Sequence, residues 1–224
     1  WQAIEIYLKN GKSYFFNFLT KENCKSFLEI FKNNDITKDK IHEKDYFKSQ
    51  KYITSQWVEE RLSTYEYLLF INKYSSRTFN DSNQYPIFPW LIKNYPPNTS
   101  TDEDFRNFKF PMAAQTEENQ NRASTRFEDD RDNNSKFPAH FGTHYSTSAY
   151  VYYYLMREEP FTTLLIKLQG YKHENPNRML FSLGDTLFVL ETGCDNRECI
   201  PDIFYKIEQF INLNCPDYGC KIMV

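Results

Sequence analysis

The chain has 224 residues, 40% of them hydrophobic and 18% aromatic, which is enough apolar matter for one large domain or a domain plus part of another. With 27 basic against 30 acidic side chains the net charge is −3, so the chain has no bulk basic footprint and nucleic acid is not an expected partner. No apolar run approaches the roughly 18 residues that cross a bilayer, and no secretory signal opens the chain. The cysteines (Cys24, Cys194, Cys199, Cys215, Cys220) are odd in number in a chain too large to need staples, so a reducing, cytoplasmic setting is expected. There, the sequons at Asn80, Asn98 and Asn133 carry no consequence.

Ala3 to Leu8 reads as a strand, Asn10-Gly11 as a tight turn and Lys12 to Phe18 as the return strand. Thr20 is placed to cap a helix carrying Cys24, Phe27, Leu28 and Phe31 on one face. A hairpin and one helix bury too little to fold alone. They are therefore either a flap packed on the main domain or the closing hairpin and helix of a larger barrel whose earlier strands are missing. A chain opening on a strand residue, Trp1, favours the barrel. Asn33 to Gln50 is polar and lysine-rich and reads as a linker, with Trp57 opening the main domain.

Ser63 followed by Glu66 is a capping-box pattern, and Tyr67, Leu68 and Ile71 recur at helical spacing behind it. After Arg77 the chemistry changes. Asn80, Asp81, Ser82 and Asn83 favour turns, and Pro86 and Pro89 forbid a helix interior or a central strand, yet Tyr85, Ile87, Phe88 and Trp90 are too apolar for a solvated loop. The expectation is an irregular but buried segment whose backbone needs side-chain partners, with Arg77, Asn80, Asn83 and Gln84 placed to supply them.

A surface loop is expected over Asn94 to Asp104, a second irregular packed segment over Phe110 to Gln115, and a polar helix over Thr116 to Phe127. Glu128 to Ser135 reads as an exposed acidic loop that lacks the spacing of a calcium site. Ser146 to Met156 is apolar nearly all round, the mark of a buried helix. Pro160 breaks it, Thr162 is the expected cap of the next helix, and Gly170 its stop. Leu180, Leu183, Leu187 and Leu190 make a helical stripe ended by Gly193, and Pro201 starts a last helix carrying Phe204, Ile207, Phe210 and Ile211.

Candidate chemistry is sparse. His140 and His144 have the i, i+4 spacing of a zinc pair, but the residues between are Phe-Gly-Thr, with no general base and no third ligand downstream. A metal-dependent hydrolase built on them is the alternative to two core histidines bonding backbone carbonyls. Cys194, Cys199, Cys215 and Cys220 form two loosely spaced pairs, readable as a zinc site or as reduced thiols. There is no glycine-rich phosphate loop and no nucleophile elbow.

Several blocks, in order, resemble the signature of BEACH domains: Ser63-Thr64-Tyr65-Glu66-Tyr67-Leu68, Arg77-Thr78-Phe79-Asn80-Asp81 and Asn83 through Trp90. Further matches are Pro111 to Gln115, His140 to Ser146, Glu159 to Thr162, Leu168-Gln169-Gly170, Arg178 with Phe181, and Ile200 to Tyr205. The chain departs from the pattern at Ser75-Ser76, Ala113, Tyr171 and from Cys215 on. The resemblance implies a mainly α domain with an irregular core over residues 50–224, a linker at 35–49, and at 1–34 the C-terminal β-hairpin and helix of a PH-like barrel. It also implies a large cytosolic scaffold, peripheral to intracellular membranes, acting in vesicle traffic and in lysosome-related or autophagic membrane dynamics. Protein partners would bind at the groove between the PH-like and BEACH parts, and WD repeats would lie further downstream. The family's module carries no catalysis and no cofactor, so Arg77, Asn80, Asn83, Gln84, His140 and His144 are expected as structural hydrogen-bonding residues.

Overall fold

Ala3–Tyr7 (β1) and Ser13–Asn17 (β2) form an antiparallel pair, successive side chains on opposite faces, with Ile4 opposite Phe16 and Glu5 opposite Phe15. In the computed structural model, residues 2–8, 13–34, 46–98, 102–171, 179–180, 182–193 and 195–206 are described, with the backbone alone at 46–49. The chain divides into two compact units, Trp1–Asp81 and Ser82–Val224.

In the first unit, the β-pair places Ile4, Ile6, Tyr14 and Phe16 on one face. Helix α1 (Lys21–Asn33) packs at the Phe16 end of that face: the Phe27 ring lies 6.3 Å from Phe16 and 4.8 Å from both Phe18 and Phe31, and Cys24 is buried, while Tyr14 and Phe16 remain exposed. Thr20 caps α1 as expected, accepting from the Asn23 N–H at 3.2 Å. The expected barrel is not there. Among the described residues the sheet has two strands, β1 and β2, and does not close. A barrel needs a last strand that pairs with the first; among the described residues no third strand pairs with β1 or β2, and Tyr14 and Phe16 stay exposed. The Asn10-Gly11 turn and Trp1 lie outside the described residues.

The end of the expected linker is helical, since α2 spans Tyr46–Val58, and Trp57 lies in its last turn. Helix α3 (Thr64–Tyr74) comes after a short turn. Its capping box is complete: the Glu66 N–H donates to Ser63 Oγ at 3.2 Å and the Ser63 N–H to Glu66 Oε2 at 3.1 Å. Trp57 stacks on Tyr67, ring centroids 4.4 Å apart and planes at 1°, fastening the two helices into a hairpin.

The second unit is built around the irregular segment. Tyr85, Phe88 and Trp90 are buried without belonging to a helix or strand, and Phe88 forms an isolated bridge with Cys199. A 3-10 turn, Met112–Ala114, is wholly buried. The short helix α5 (Ser148–Tyr154), capped by Thr147, sits in the core with Val151, Tyr153, Tyr154, Leu155 and Met156 all buried. Each such side chain contributes about 1.5–3 kcal/mol on leaving water, so a seven-residue helix of little intrinsic stability is held by its packing.

Three further expectations are corrected. The acidic stretch to Asp132 is not a loop but the end of α4 (Glu117–Asp132), because Glu, Asp and Arg tolerate a helix and the stop comes only at Asn133-Asn134, where Asn134 takes φ +54°. Helix α6 (Phe161–Leu168) is preceded by Pro160; Thr162 lies inside it and donates to the Met156 carbonyl at 2.5 Å. Helix α7 (Leu183–Glu191) is capped by Ser182, leaving Leu180 ahead of it, and Pro201–Phe204 is a 3-10 turn. Ile207, Phe210 and Ile211 fall outside the described residues.

Candidate functional site

In the first unit, the second face of the β-pair turns a carboxylate toward the signature segment. Glu5 accepts from the Thr78 hydroxyl, from Asn80 Nδ2 at 3.0 Å and from the Tyr7 hydroxyl at 2.9 Å. Asn80 Nδ2 also reaches Ser13 Oγ at 2.9 Å, and Lys73 Nζ lies 4.0 Å from the centre of the Tyr7 ring. Burial pulls the Lys73 ammonium below its ordinary range, only partly offset by the charge of Glu5. The seam is thus polar and charge-assisted, and Asn80 is the sequence-flagged residue that the fold brings into it.

A groove of about 370 Å³ opens in the α2–α3 hairpin. Tyr52, Ile53 and Gln56 of α2 and Phe70 and Tyr74 of α3 form its walls, with Arg61 and Leu62 of the connecting turn completing the lining. Nothing in the spacing of α2 announced this groove, because its wall residues are interleaved with polar ones.

The second unit holds buried charges that the sequence reading missed. Arg197 donates from Nε (2.6 Å) and a terminal nitrogen to Asp195 Oδ2, and its guanidinium lies over the rings of Tyr153 and Tyr150 at 4.4 and 4.7 Å. Asp195 Oδ1 also accepts from the Thr143 and Tyr150 hydroxyls at 3.2 and 3.1 Å. Burial is the strongest single influence and opposes the charge on Arg197, but the Asp195 carboxylate together with Tyr153 and Tyr154 outweighs it and raises the guanidinium pKa. Arg106 makes a two-pronged pair with Glu198, both contacts at 2.7 Å. The Tyr85 hydroxyl donates to Asp202 at 3.0 Å, and Lys206 bridges Asp202 and Glu158 at 3.2 and 3.1 Å. The available signal was a set of charges around Cys199-Ile200, flanked by an apolar helix and a proline.

The remaining flagged residues lie apart. Arg77 is half-buried and its backbone N–H donates to the Asn72 carbonyl at 2.9 Å; Asn83 and Gln84 are exposed. His140 and His144 are at the surface, not in a core. His140 stacks on Phe127 with centroids 4.5 Å apart, while His144 Nδ1 sits 3.1 Å from the Ser146 N–H and stacks on Tyr145. Among the described residues no three His, Cys, Asp or Glu side chains are grouped to hold a metal, and no helix is long and apolar enough to cross a membrane. Cys194, Cys215 and Cys220 lie outside the described residues, whereas Cys199 is buried with its thiol on the Ile200 carbonyl at 3.5 Å.

Compared with known families, residues 55–223 match the model of the Beige/BEACH domain. The chain belongs to the BEACH family. The BEACH match begins inside α2 and takes in α3, the irregular core and the buried charge clusters of the second unit. Relatives extend further: the WD repeat- and FYVE domain-containing protein 4 of Mus musculus is 31% identical over 97% of this chain, and the Lysosomal-trafficking regulator of Drosophila melanogaster is 32% identical over 98%. A putative neurobeachin homolog of Caenorhabditis elegans is 37% identical over 70%. This BEACH chain spans only 6–7% of the length of those proteins.

Proposed function

We propose that the chain serves as a non-catalytic scaffold module of a larger BEACH protein, binding protein partners in vesicle traffic and in lysosome-related or autophagic membrane dynamics. The observation that carries this reading is the 32% identity to a Lysosomal-trafficking regulator over 98% of the chain. The chemistry of the interior supports it: Asp195, Glu198 and Asp202 spend their carboxylates on Arg197, Arg106, Tyr85 and Lys206, which is structural work. Partners then meet the module on its surface, beside the seam where the hairpin reaches Lys73, Thr78 and Asn80. The protein works in the cytoplasm and reaches membranes peripherally, through those partners. Residues 35–49 serve as the linker into a module that begins near residue 50, and WD repeats lie downstream in the full-length protein, a reading supported by a relative that is itself named as a WD repeat protein.

Proximity labelling around the full-length protein, with and without residues 50–224, tests the reading. The expected result is a labelled set rich in proteins of endosomal and lysosomal membranes that collapses on removal of the module. An identical labelled set in both cases would overturn it.

A further inference from the structure

The α2–α3 groove is framed by rigid parts. Trp57 stacks flat on Tyr67, its indole N–H donates to Thr64 Oγ1 at 3.1 Å, and the Tyr67 hydroxyl lies 3.3 Å from Thr54 Oγ1. The turn beyond α2 is pinned as well: the backbone N–H groups of Arg61 and Leu62 both donate to the Gln56 carbonyl, at 2.8 and 3.1 Å. A preformed concavity between fixed helices gives up little conformational freedom when filled. Tyr52 is 64% exposed on its wall, although it carries a large ring that water solvates poorly.

Of the lining residues, Arg61 is the one that carries a formal charge. Its side chain is 68% exposed, and its partner Glu59, at 3.3 Å, is itself 48% exposed. Exposed pairs of this kind contribute little, so Glu59 is a weak competitor for the guanidinium. The planar fork of an arginine matches a carboxylate through two parallel hydrogen bonds. Glu60 lies on the other side of Leu62, where it lines a neighbouring groove with Trp57 and Val58. Within the groove lining the charge is Arg61 alone, and a single lining arginine flanked by Glu59 and Glu60 favours one carboxylate over an anionic lipid surface or a nucleic acid.

We propose that this groove receives a bulky apolar side chain of a partner protein whose neighbouring residue is an aspartate or glutamate that pairs with Arg61. The proposal rests on the reading of the chain as an interaction module and names the kind of segment that the module takes. The ligand is a short acidic–hydrophobic peptide segment, recognised by one anchor and one charge.

The test is a selection of random peptides on the whole purified chain, then fluorescence anisotropy on the best sequence. Selected peptides are expected to share a large apolar residue with Asp or Glu within one turn. Arg61→Glu is expected to weaken binding by about tenfold or more, and replacing the peptide's acidic residue by lysine to recover part of that loss on the Arg61→Glu chain. Tyr52→Ala, at an exposed position, should weaken binding while leaving the thermal midpoint unchanged. Selection of peptides without an acidic residue, indifference to Arg61→Glu, no selection at all, or Arg61-dependent binding to phosphatidylserine vesicles in place of peptides would overturn the proposal. Peptides that crosslink elsewhere on the chain would overturn the groove assignment and leave the interaction-module reading standing, whereas indifferent proximity labelling would remove that reading itself.

Discussion

Arg197 shows what a buried charge costs and why this one is tolerated. Its guanidinium is almost out of water, and what offsets the lost hydration is the Asp195 carboxylate together with two tyrosine faces. Truncating it leaves Asp195, among the described residues, with the Thr143 and Tyr150 hydroxyls and the Arg197 backbone N–H. Arg197→Ala is expected to lose about 3–5 kcal/mol in denaturant unfolding. Arg131→Ala, which breaks an exposed contact with Asp132, should stay within roughly 0.5 kcal/mol. Equal losses would mean that burial is not what gives the first pair its weight. Gly193 makes a comparable point about backbone. It holds φ +72°, and a Cβ built there would stand 2.8 Å from Asn119 Oδ1 and 3.3 Å from the Ala113 carbonyl. Asn119 cannot swing aside without breaking its 2.6 Å bond to the Glu191 carbonyl. Gly193→Ala should therefore cost about 1–3 kcal/mol. Gly170→Ala, at φ +73° with open space around the new methyl, should cost about 1 kcal/mol. Thermal or denaturant unfolding of the two variants side by side checks the contrast.

At the scale of elements, the start of α3 is the clearest case of sequence dictating structure. Ser63 and Glu66 satisfy each other's orphan N–H groups, and Ser63→Ala should cost about 1 kcal/mol while Ser63→Gly costs a few tenths. The Ser63 hydroxyl, and then its backbone N–H, hold the Glu66 carboxyl below its ordinary value of 4.5. A folded-state pKa that is depressed contributes stability above the unfolded value and loses it as pH falls through the folded one. The gap between wild type and Ser63→Ala should hence be full at neutral pH and shrink as the pH falls below about 4, which a series of thermal melts would show. A gap that widened in acid would mean that the pair is not acting through the carboxylate. Caps of this kind were legible because they rest on near neighbours: Thr20, Ser63, Thr116 and the stop at Gly193 all stand where the spacing put them. The helical 46–50 stretch and the last turn of α4 were not legible, since polar helices bury too little to leave a period in the sequence. Thr162 misled for a related reason, because a threonine ahead of an apolar run looks like a cap whether its hydroxyl meets the next turn or, as here, the Met156 carbonyl.

For the whole molecule, the irregular core was foreseeable in outline and its wiring was not. Tyr85, Phe88 and Trp90 had to be buried because they are apolar, but what fixes them comes from more than 100 residues away: Asp202 on the Tyr85 hydroxyl and the Cys199 carbonyl on the Phe88 N–H. Local spacing carries no trace of such distant pairs, nor of Arg106 with Glu198, 92 residues apart. The surface positions of His140 and His144 escaped notice for the same reason, as did the two-stranded sheet in place of a barrel. These placements bear directly on metal binding. A thiolate site at Cys199 would need a deprotonated sulfur, whereas complete burial pushes this thiol well above its ordinary range. A histidine pair would need ring nitrogens turned to a common point, but His144 Nδ1 is taken up with the Ser146 backbone and His140 lies flat on Phe127. Elemental analysis of the purified chain should therefore find zinc well below one equivalent, and a chelator should leave the thermal midpoint where it was. Stoichiometric zinc, or a midpoint that falls with chelator and recovers with added zinc, would return a metal site to the molecule and with it the hydrolase alternative.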